Sequence, residues 1–380
     1  MMGILNLVSN ITEAFHDFQF DTVLFCDLSK AFDCVDHGIL LRKLQVYGFC
    51  PESIALLRSY LDGRSQTVRC SGLASAKGPV TVGVPQSSVL GPILFLIYIN
   101  DLPSVDQSSK YTLFADDTTV SVKADSMETS VGGSLVAQEM AEGWFCSNRL
   151  LLNRDKTNRV VFTMRDSQGI NSHISEVKFL GVFLDSKLQW GCHIDHLASK
   201  LARGLHLLRS LSNNVSQTVL RTAYFAVFHS QLSYAIIVWG HAADTHRLFR
   251  LQRRAVRLLA GLGYGEDCRA VFRDSGVLTV PSLYILENLL YVKKNLHMYV
   301  THGDVHGYET RNRGELVPGY WRLRRCQSGI GYWAIKFFNV LPLDIKSLPV
   351  TKFKTEMRKL LIRHTFYSFD EYLKFDFSVL

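Results

Sequence analysis

The sequence predicts an α+β fold, with strands and helices interleaved up to about residue 190 and mostly helices after it. Tyr111, Leu113 and Ala115 alternate with Thr112 and Phe114, and after two adjacent aspartates residues 118–122 are rich in β-branched side chains, a pattern typical of a β-hairpin. Residues 22–26 are an apolar run with the length of one buried strand. After residue 190 the apolar residues recur at the spacing of amphipathic helices instead.

The elements of the first half follow from apolar spacing and from residues that begin and end helices. Asp36 is a good helix N-cap, Gly48 a good helix end, and Pro51 is favoured in a first helical turn. The predicted helices lie at residues 1–20, 36–48, 51–61, 85–100 and 126–147. The predicted strands lie at 22–26, 66–70, 80–84, 111–115, 118–122, 160–164 and 177–184, with 66–70 paired to 80–84 and Asp116-Asp117 as the hairpin turn.

Two of these helices carry a packing expectation. The helix that either Ser87 or Ser88 caps is apolar all round its remaining length, so we expect it to be buried. The helix at 126–147 is expected to pack through Leu135, Met140 and Trp144. In the second half, helices are predicted at residues 190–212, 216–239, 243–261, 281–298 and 349–366.

Composition describes a globular protein, with 47% hydrophobic and 20% charged residues in a chain of 380, long enough for two or three domains. None of the eight cysteines forms a C-x-x-C pair, which argues against a zinc finger or a disulfide scaffold. Cys192, His193 and His196 lack a second ligand pair, so we expect no metal there. The longest apolar runs, 89–99 and 225–239, are too short to cross a bilayer.

Charge is distributed unevenly along the chain. Residues 1–190 carry 16 Lys and Arg against 20 Asp and Glu, whereas residues 191–380 carry 26 against 14. An acidic half joined to a basic half suits an enzyme with metals in the first part and a polyanionic substrate along the second. Two soluble domains of unlike charge would give the same asymmetry.

The side chains that most need an explanation are two adjacent aspartates, Asp116 and Asp117, at the tip of the predicted hairpin. Neighbouring anions repel, so one takes up a proton unless a cation lies between them. Divalent cations such as Mg²⁺ prefer carboxylate oxygen. Asp27, at the end of the strand at 22–26, offers a third carboxylate. Aspartates in turns and at strand ends are also ordinary solvated or capping residues, so both interpretations stand on these residues alone.

Five sequence blocks favour the metal site. They are FCDLSKAFDCVDH at 25–37, GVPQSSVLGPILFLIYINDL at 83–102, FADD at 114–117, NRLLLNRDKT at 148–157 and VKFLGVFLD at 177–185. In this order and at these spacings they resemble the palm of the reverse transcriptases of non-LTR (LINE-type) retrotransposons, most of all the jockey group of insects. The resemblance covers residues 1–260 firmly and the remainder more loosely.

The resemblance implies a domain organisation. We expect a reverse-transcriptase palm, an antiparallel sheet with helices on one face, with partial fingers at 1–188. A helical thumb at 189–262 and a C-terminal region of unassigned role at 263–380 would follow. The finger strands and the endonuclease domain that precede this region in the family are not in the sequence, so we expect an N-terminally truncated chain.

The resemblance also implies an activity, RNA-directed DNA polymerisation by two-metal nucleotidyl transfer. Asp27, Asp116 and Asp117 would hold two Mg²⁺ ions, with Mn²⁺ as the alternative, and would be the catalytic carboxylates. An RNA template, a DNA primer and deoxynucleoside triphosphates would be the partners, with no membrane. The sequence assigns no compartment; the resemblance is compatible with the nucleus.

Four further residues receive roles near the nucleotide through the resemblance. Lys156 would be a catalytic lysine that protonates pyrophosphate. Leu28 begins a turn at 28–32 whose backbone N–H groups would cradle the triphosphate, and Phe32 would stack under the sugar and exclude a 2′-hydroxyl. Gln86 would lie near the template–nucleotide pair. The family has glycine where this chain has Ser87, and a backbone that needs positive φ there would be strained.

Two other sets are expected to contact nucleic acid. The resemblance assigns a primer grip to Phe179, Leu180 and Gly181. A basic stripe is predicted on one side of a helix at Arg247, Arg250, Arg254 and Arg257. Missing fingers and Ser87 keep open a rival function, a non-catalytic nucleic-acid-binding remnant of a retroelement, and a purely structural protein is a second rival.

Overall fold

The computed structural model describes residues 2–165, 176–305, 313–319 and 329–377. These residues form two compact units. One comprises residues 9–180, and the other comprises residues 3–8 with the described part of 181–380. The first unit holds the main sheet and the second is almost entirely helical, which confirms the predicted α+β class. The division into three domains at residues 188 and 262 stays a prediction.

Strands and helices are interleaved along the first unit, and the second unit consists mostly of helices. The strands are β1 (Phe20–Cys26), β2 (Ser65–Gln66), β3 (Arg69–Cys70), β4 (Leu73–Ala74), β5 (Gly78–Pro79), β6 (Lys110–Phe114), β7 (Asp117–Ala124), β8 (Asn158–Phe162), β9 (Glu176–Phe179) and β10 (Val182–Asp185). The helices up to residue 180 are α1 (Met2–His16), α2 (His37–Val46), α3 (Pro51–Leu61), α4 (Leu90–Ile99) and α5 (Met127–Ser147).

The described helices of the second unit vary in length from four to 22 residues. They are α6 (Gly191–Ser212), α7 (Gln217–Tyr224), α8 (Ser230–Ser233), α9 (Ile236–Trp239), α10 (Thr245–Ala260), α11 (Arg269–Asp274), α12 (Val280–Lys294), α13 (His302–Val305), α14 (Ile330–Asn339), α15 (Leu343–Ser347), α16 (Val350–His364) and α17 (Phe369–Leu373). Among the described residues, no helix has both the length and the apolar character needed to cross a bilayer.

Four antiparallel strands make the central sheet, in the order β6–β7–β1–β8. β1 is buried along its whole length and bonds to β7 on one side and to β8 on the other. Its register with β7 pairs Asp21 with Lys123 and Cys26 with Thr118. The end of β1 therefore meets the start of β7, which is where the predicted carboxylates lie.

Helix α5 packs on this sheet through small side chains. The residues it buries include Ser130, Ser134, Ala137 and Ala141, and small residues let a helix approach a sheet closely. The Ser130 hydroxyl also accepts a hydrogen bond from the backbone amide of Thr22 in β1, at 3.1 Å. Trp144 is 9% exposed, so the packing predicted for this residue is confirmed.

The packing predicted for the other two residues of α5, Leu135 and Met140, is wrong. Leu135 and Met140 are 47% and 42% exposed. The serines and alanines form the sheet-facing side of the helix, so these larger side chains point away from it.

The pairing predicted between residues 66–70 and 80–84 is wrong. β2 pairs with β5 and β3 with β4, as two short ladders. The backbone at Gly83 and Val84 bonds instead to the segment that follows β1, through the carbonyl oxygens of Val35 and Phe32 at 2.7 and 2.8 Å. These bonds tie the chain before α4 to the segment at 28–35.

Helix α4 is only partly buried, against the expectation. Leu94, Phe95 and Tyr98 face the core, whereas Ile93 and Leu96 are 48% and 50% exposed. A helix that is apolar all round needs neighbours on every side to be buried, and the described chain covers one side of α4.

Two other predicted elements are interrupted. The strand predicted at 177–184 is two strands, because Leu180 and Gly181 between them both have positive φ. The helix predicted at 216–239 breaks into α7, a π-helical turn at Phe225–His229, α8 and α9. Ala235 has a left-handed conformation at φ 50° and so cannot continue a right-handed helix.

A buried glutamine and a threonine join three helices of the second unit. Gln252 of α10 donates to the carbonyl oxygen of Leu278 at 2.8 Å and accepts from the amide of Val280 at 2.9 Å. Thr279 caps α12 and donates to the carbonyl oxygen of Phe366 at 2.6 Å, just beyond α16. Each buried polar group named here has a partner, so the junction is specific as well as apolar.

Asp21, buried in the centre of the sheet, should make stability depend on pH. Its Oδ1 accepts from the Ser121 hydroxyl at 2.7 Å, and its Oδ2 has no hydrogen-bond partner among the described residues. Burial raises the pKa of Asp21 above its usual 3.8, against the lowering effects of Ser121 and two lysines. The folded state therefore binds the proton more tightly, so stability falls as pH rises from about 4 through the raised pKa.

We predict that Asp21→Asn removes this fall and raises the unfolding free energy at pH 7 by on the order of 1 kcal/mol. Urea denaturation between acid and neutral pH measures it. Asp17→Asn, at an exposed position beside α1, is the matched control and should follow the wild type. Equal pH dependence in the Asp21 variant and the wild type would contradict the prediction.

Candidate active site

The hairpin that carries the paired aspartates has a two-residue turn, as expected, but the turn lies one residue earlier than predicted. Phe114 pairs with Asp117, so the turn consists of Ala115 and Asp116. Ala115 has φ 52°, the left-handed conformation that tight hairpin turns use. Asp117 is thus the first residue of β7 and is half-buried, whereas Asp116 is exposed at the tip.

The register of the sheet brings Asp27 to the same end. The last pair between β1 and β7 is Cys26 with Thr118, and the next residue on each side is Asp27 and Asp117. The carbonyl oxygen of Asp27 accepts from the amide of Asn153 at 2.8 Å, which holds the backbone beyond the strand. Asp27 and the distant pair Asp116 and Asp117 therefore lie at the same end of the two central strands.

The electrostatics of Asp117 reflect this proximity. Burial raises the pKa of the Asp117 carboxyl, and the charges of Asp116 and Asp27 raise it further. A divalent cation would relieve this repulsion, and an all-carboxylate donor set suits a hard ion such as Mg²⁺. The residue types fit the ion. The side chains are not arranged around a common point, however: among the described residues, no three His, Cys, Asp or Glu side chains form a group that could hold a metal.

Lys156 and Leu28 lie beside Asp27. The Lys156 ammonium is 3.8 Å from the Asp27 carboxylate, and both groups are well exposed, so the pair is weak. Leu28 is buried, and the next amide, that of Ser29, donates to the carbonyl oxygen of Leu151 at 2.8 Å. That N–H is already bonded, which leaves fewer donors for the triphosphate cradle predicted at 28–32.

Phe32 is fixed from two directions. Its ring stacks on Phe95 of α4, with ring centroids 4.5 Å apart and planes 26° apart. Its carbonyl oxygen accepts from the amide of Val84 at 2.8 Å. A ring held in this way can act as a rigid wall, which the predicted gate role requires.

Gln86 and Ser87 lie in the turn before α4. The Gln86 side-chain amide donates to the Asp33 carboxylate at 2.8 Å, which links this turn to the segment after β1. Ser87 has φ 62°, the left-handed conformation that glycine adopts most easily. The backbone strain expected at Ser87, where the family pattern has glycine, is therefore present. The N-cap of α4 is Val89, and of the two serines it is Ser88 whose hydroxyl accepts from the amide of Gly91 in the first turn, at 2.9 Å.

The residues predicted as a primer grip form a tight turn. Leu180 and Gly181, at φ 45° and 81°, separate Phe179 at the end of β9 from the start of β10. The Phe179 ring contacts Phe25 of β1 edge to face at 5.5 Å. The turn therefore follows a residue that packs on the strand leading to Asp27. Its role in holding a primer stays a prediction.

The predicted arginine stripe lies on one helix, α10, at Arg247, Arg250, Arg254 and Arg257. Arg247 pairs with Asp195 of α6 at 2.7 Å, and Arg257 donates to the carbonyl oxygen of Glu266 at 2.7 Å. Within the described ranges no carboxylate pairs with the other two arginines. Half of the stripe is thus already engaged inside the protein.

The cysteine–histidine cluster shows no metal-ligand geometry. His193 is buried, its Nδ1 accepts from the amide of Phe183 at 3.4 Å, and burial lowers its pKa to about 4. His196 stacks on the ring of Phe183 at 3.9 Å. His193 is thus packed in the core, whereas His196 is exposed and stacks on one ring.

Sequence reasoning missed three residues that build the site. Asp33 bonds Gln86, Asn153 bonds the Asp27 backbone, and Phe95 supports Phe32. Asp33 and Asn153 lie inside the blocks that carry the resemblance, so their position in those blocks was an available signal. Phe95 had none, because it lies within the uninterrupted apolar run at 93–99.

Comparison with known proteins identifies the class. Residues 6–184 match the family model described as reverse transcriptase (RNA-dependent DNA polymerase). The matched region spans the sheet, the carboxylates, Lys156 and the Phe179–Gly181 turn.

The curated relatives are RNA-directed DNA polymerases of transposons and mobile elements, which agrees with the resemblance carried by the motifs. The chain is 31% identical over 292 residues to the probable RNA-directed DNA polymerase from transposon X-element of Drosophila melanogaster, covering 72% of this chain and 32% of that protein. It is 29% identical over 298 residues to the RNA-directed DNA polymerase from mobile element jockey of the same species, covering 73% and 32%. The chain thus spans about a third of these relatives.

One comparison with solved structures is as follows. Apo telomerase from Candida tropicalis matches 78% of this chain and 56% of its own, with a TM-score of 0.40 and 11% sequence identity.

Relief of the strain at Ser87 is testable. We predict that Ser87→Gly stabilises the protein by up to about 1 kcal/mol, because glycine adopts φ near 60° without penalty. Ser88→Gly is the matched control and should destabilise, since it removes a hydroxyl that accepts from Gly91 and donates to the carbonyl oxygen of Pro85. Thermal denaturation measures both. Destabilisation by Ser87→Gly would contradict the strain.

Proposed function

We propose that this chain is an RNA-directed DNA polymerase that extends a DNA primer on an RNA template with deoxynucleoside triphosphates. The observation that carries the proposal is the register of β1 with β7, which places Asp27 beside Asp117, with Asp116 next to it in the turn. It supports a cluster of carboxylates at one end of the central strands, inside the region that matches the reverse-transcriptase family model. Polymerisation needs such a cluster because phosphoryl transfer is catalysed mainly by positioning and electrostatics.

Two divalent cations, when bound, would assist loss of the proton from the primer hydroxyl and neutralise the triphosphate. The residues that would hold them are Asp27, Asp116 and Asp117, and Mg²⁺ is the ion their oxygens favour. Asp27 and Asp117 continue from paired strands, so their backbones are fixed by the sheet. Asp116, exposed at the turn, has the freedom to adjust its carboxylate to the bound ions.

Other residues of the domain would bind and select the nucleotide. Phe32, supported by Phe95, would lie against the sugar and exclude a 2′-hydroxyl. Gln86, held by Asp33, would contact the template–nucleotide pair with an amide that both donates and accepts. Lys156, beside Asp27, would hold a proton close to where pyrophosphate leaves.

The rival function is nucleic-acid binding without catalysis. Two observations favour it: the positive φ at Ser87 and carboxylates that are not grouped for a metal in the described residues. Primer extension with purified protein, an RNA template and Mg²⁺ distinguishes the two. Binding of the hybrid without extension would establish the rival, and neither binding nor extension would point to a structural protein.

Removal of one carboxylate should abolish extension without unfolding the protein. We predict that Asp116→Asn and Asp117→Asn each lower the primer-extension rate by roughly 100-fold or more, because each removes a charge placed for the transition state. Asp17→Asn, an exposed aspartate outside the site, should retain the wild-type rate. Extension within tenfold of the wild type by either variant would refute the assignment.

Thermal denaturation gives a second measure that does not depend on activity. In EDTA, Asp117→Asn should melt above the wild type at neutral pH, because it removes a carboxyl whose raised pKa marks unfavourable charge. Mg²⁺ should raise the melting temperature of the wild type and affect the variant less, since a bound ion stabilises only the folded state that holds it. Equal responses to Mg²⁺ would argue against a metal role for Asp117.

Sugar selection tests Phe32. We predict that Phe32→Ala raises the incorporation of ribonucleotides relative to deoxyribonucleotides by roughly tenfold or more, because a smaller side chain admits the 2′-hydroxyl. Single-nucleotide incorporation on one template measures this ratio. Phe49→Ala, at a position 39% exposed beyond α2, is the control and should leave the ratio unchanged. An unchanged ratio in the Phe32 variant would reject the gate.

A further inference from the structure

A cavity of about 350 Å³ lies in the second unit, between α6, α10 and the loop that follows α10. Its apolar part is formed by leucines, among them Leu205 and Leu258. Arg209 from α6 and Arg254 and Arg257 from α10 also line it. The volume is at the lower end of the range for pockets that bind small molecules, so it suits a group the size of one nucleotide rather than a length of duplex.

The cavity is lined by three positive charges, and its arginines are available to a ligand. In the described ranges, no carboxylate forms an ion pair with any of its three arginines. Arg257 uses its Nε on the carbonyl oxygen of Glu266, and the nearby Glu266 carboxylate accepts from the amide of Gly263 at 2.8 Å. Arg209 and Arg254 are exposed. Three guanidinium groups around a small cavity attract a phosphate, which they can bind with two parallel hydrogen bonds.

The wall of the cavity also includes an exposed aromatic ring. Tyr264 is 89% exposed, and the Arg254 guanidinium carbon is 5.9 Å from its ring centroid. An aromatic ring this exposed contributes little to folding. Beside an arginine, it is the arrangement on which an unpaired base stacks, whereas the bases of a duplex are covered by their neighbours.

We propose that this cavity binds one unpaired nucleotide of a single-stranded nucleic acid. Arg209, Arg254 and Arg257 bind the phosphate, and Tyr264 stacks on the base. The cavity contains none of the metal-binding carboxylates, so this site does not depend on polymerase activity. Two of the four stripe arginines, Arg254 and Arg257, belong to this site. Arg209 and Tyr264 complete it and are not part of the stripe.

Binding of a short fluorescent oligouridine to the full chain in EDTA, without nucleotides, tests the site separately from catalysis. Tyr264→Ala should weaken binding about tenfold, because it removes one base stack. Tyr264→Phe keeps the ring and should retain wild-type affinity. Arg254→Gln should weaken binding and reduce the slope of log K against log salt by about 0.7, the value for one phosphate contact on a single strand.

Arg203→Gln, which removes the same charge from an exposed position on α6 outside the cavity, is the matched control and should have a smaller effect. A duplex of the same length should bind equally well to the wild type and to Tyr264→Ala. The proposal is overturned if Tyr264→Ala binds oligouridine like the wild type, or if Arg203→Gln and Arg254→Gln weaken binding equally. The second result would indicate diffuse charge rather than a site. Failure of primer extension alone would leave these outcomes unaffected.

Discussion

The antiparallel pairing of β1 with β7 is the constraint on which the site depends. The pairing ends at Cys26 and Thr118, and the carboxylates of Asp27 and Asp117 come immediately after it. A slip of one residue would turn every side chain of the strand to the opposite face of the sheet. β1 is bonded on both sides and buried throughout, so such a slip would disrupt the packing on both faces of the sheet and displace Asp27.

This constraint holds together charges that would otherwise separate. Burial, with the charges of Asp116 and Asp27, raises the pKa of Asp117, so its ionised form is disfavoured in the folded chain. Strained backbone surrounds the same region: Lys30, Ser87 and Ala115 all have positive φ. Such conformations persist only where the surrounding structure determines them, and they concentrate at functional sites. The stability of the sheet is thus offset in part by the electrostatic and conformational demands at this end of its strands.

The sequence predicted what depends on local pattern and on motif order. The strand that ends at Asp27, the cap at Asp36 and the helix beginning at Pro51 follow from local chemistry, and the structure has all three. The turn was misplaced by one residue because aspartate and alanine both tolerate short turns, and only the cross-strand partner of Phe114 decides between them. The exposed side of α4 was missed because a hydrophobic pattern shows that a side chain is apolar, and does not show whether another element covers it.

Catalysis and strand binding rest on different physical requirements in this chain. The carboxylate cluster needs a register that only the sheet of the unit at 9–180 provides, and a change of one charge there removes its function. The arginine cavity needs three cations and an exposed ring from α6, α10 and one loop, all in the other unit. Its binding energy is divided among several contacts, so single substitutions weaken it by degrees. Under the two proposals, a loss of polymerisation through strain at Ser87 would leave the arginine cavity unchanged, because the two sites share no residue.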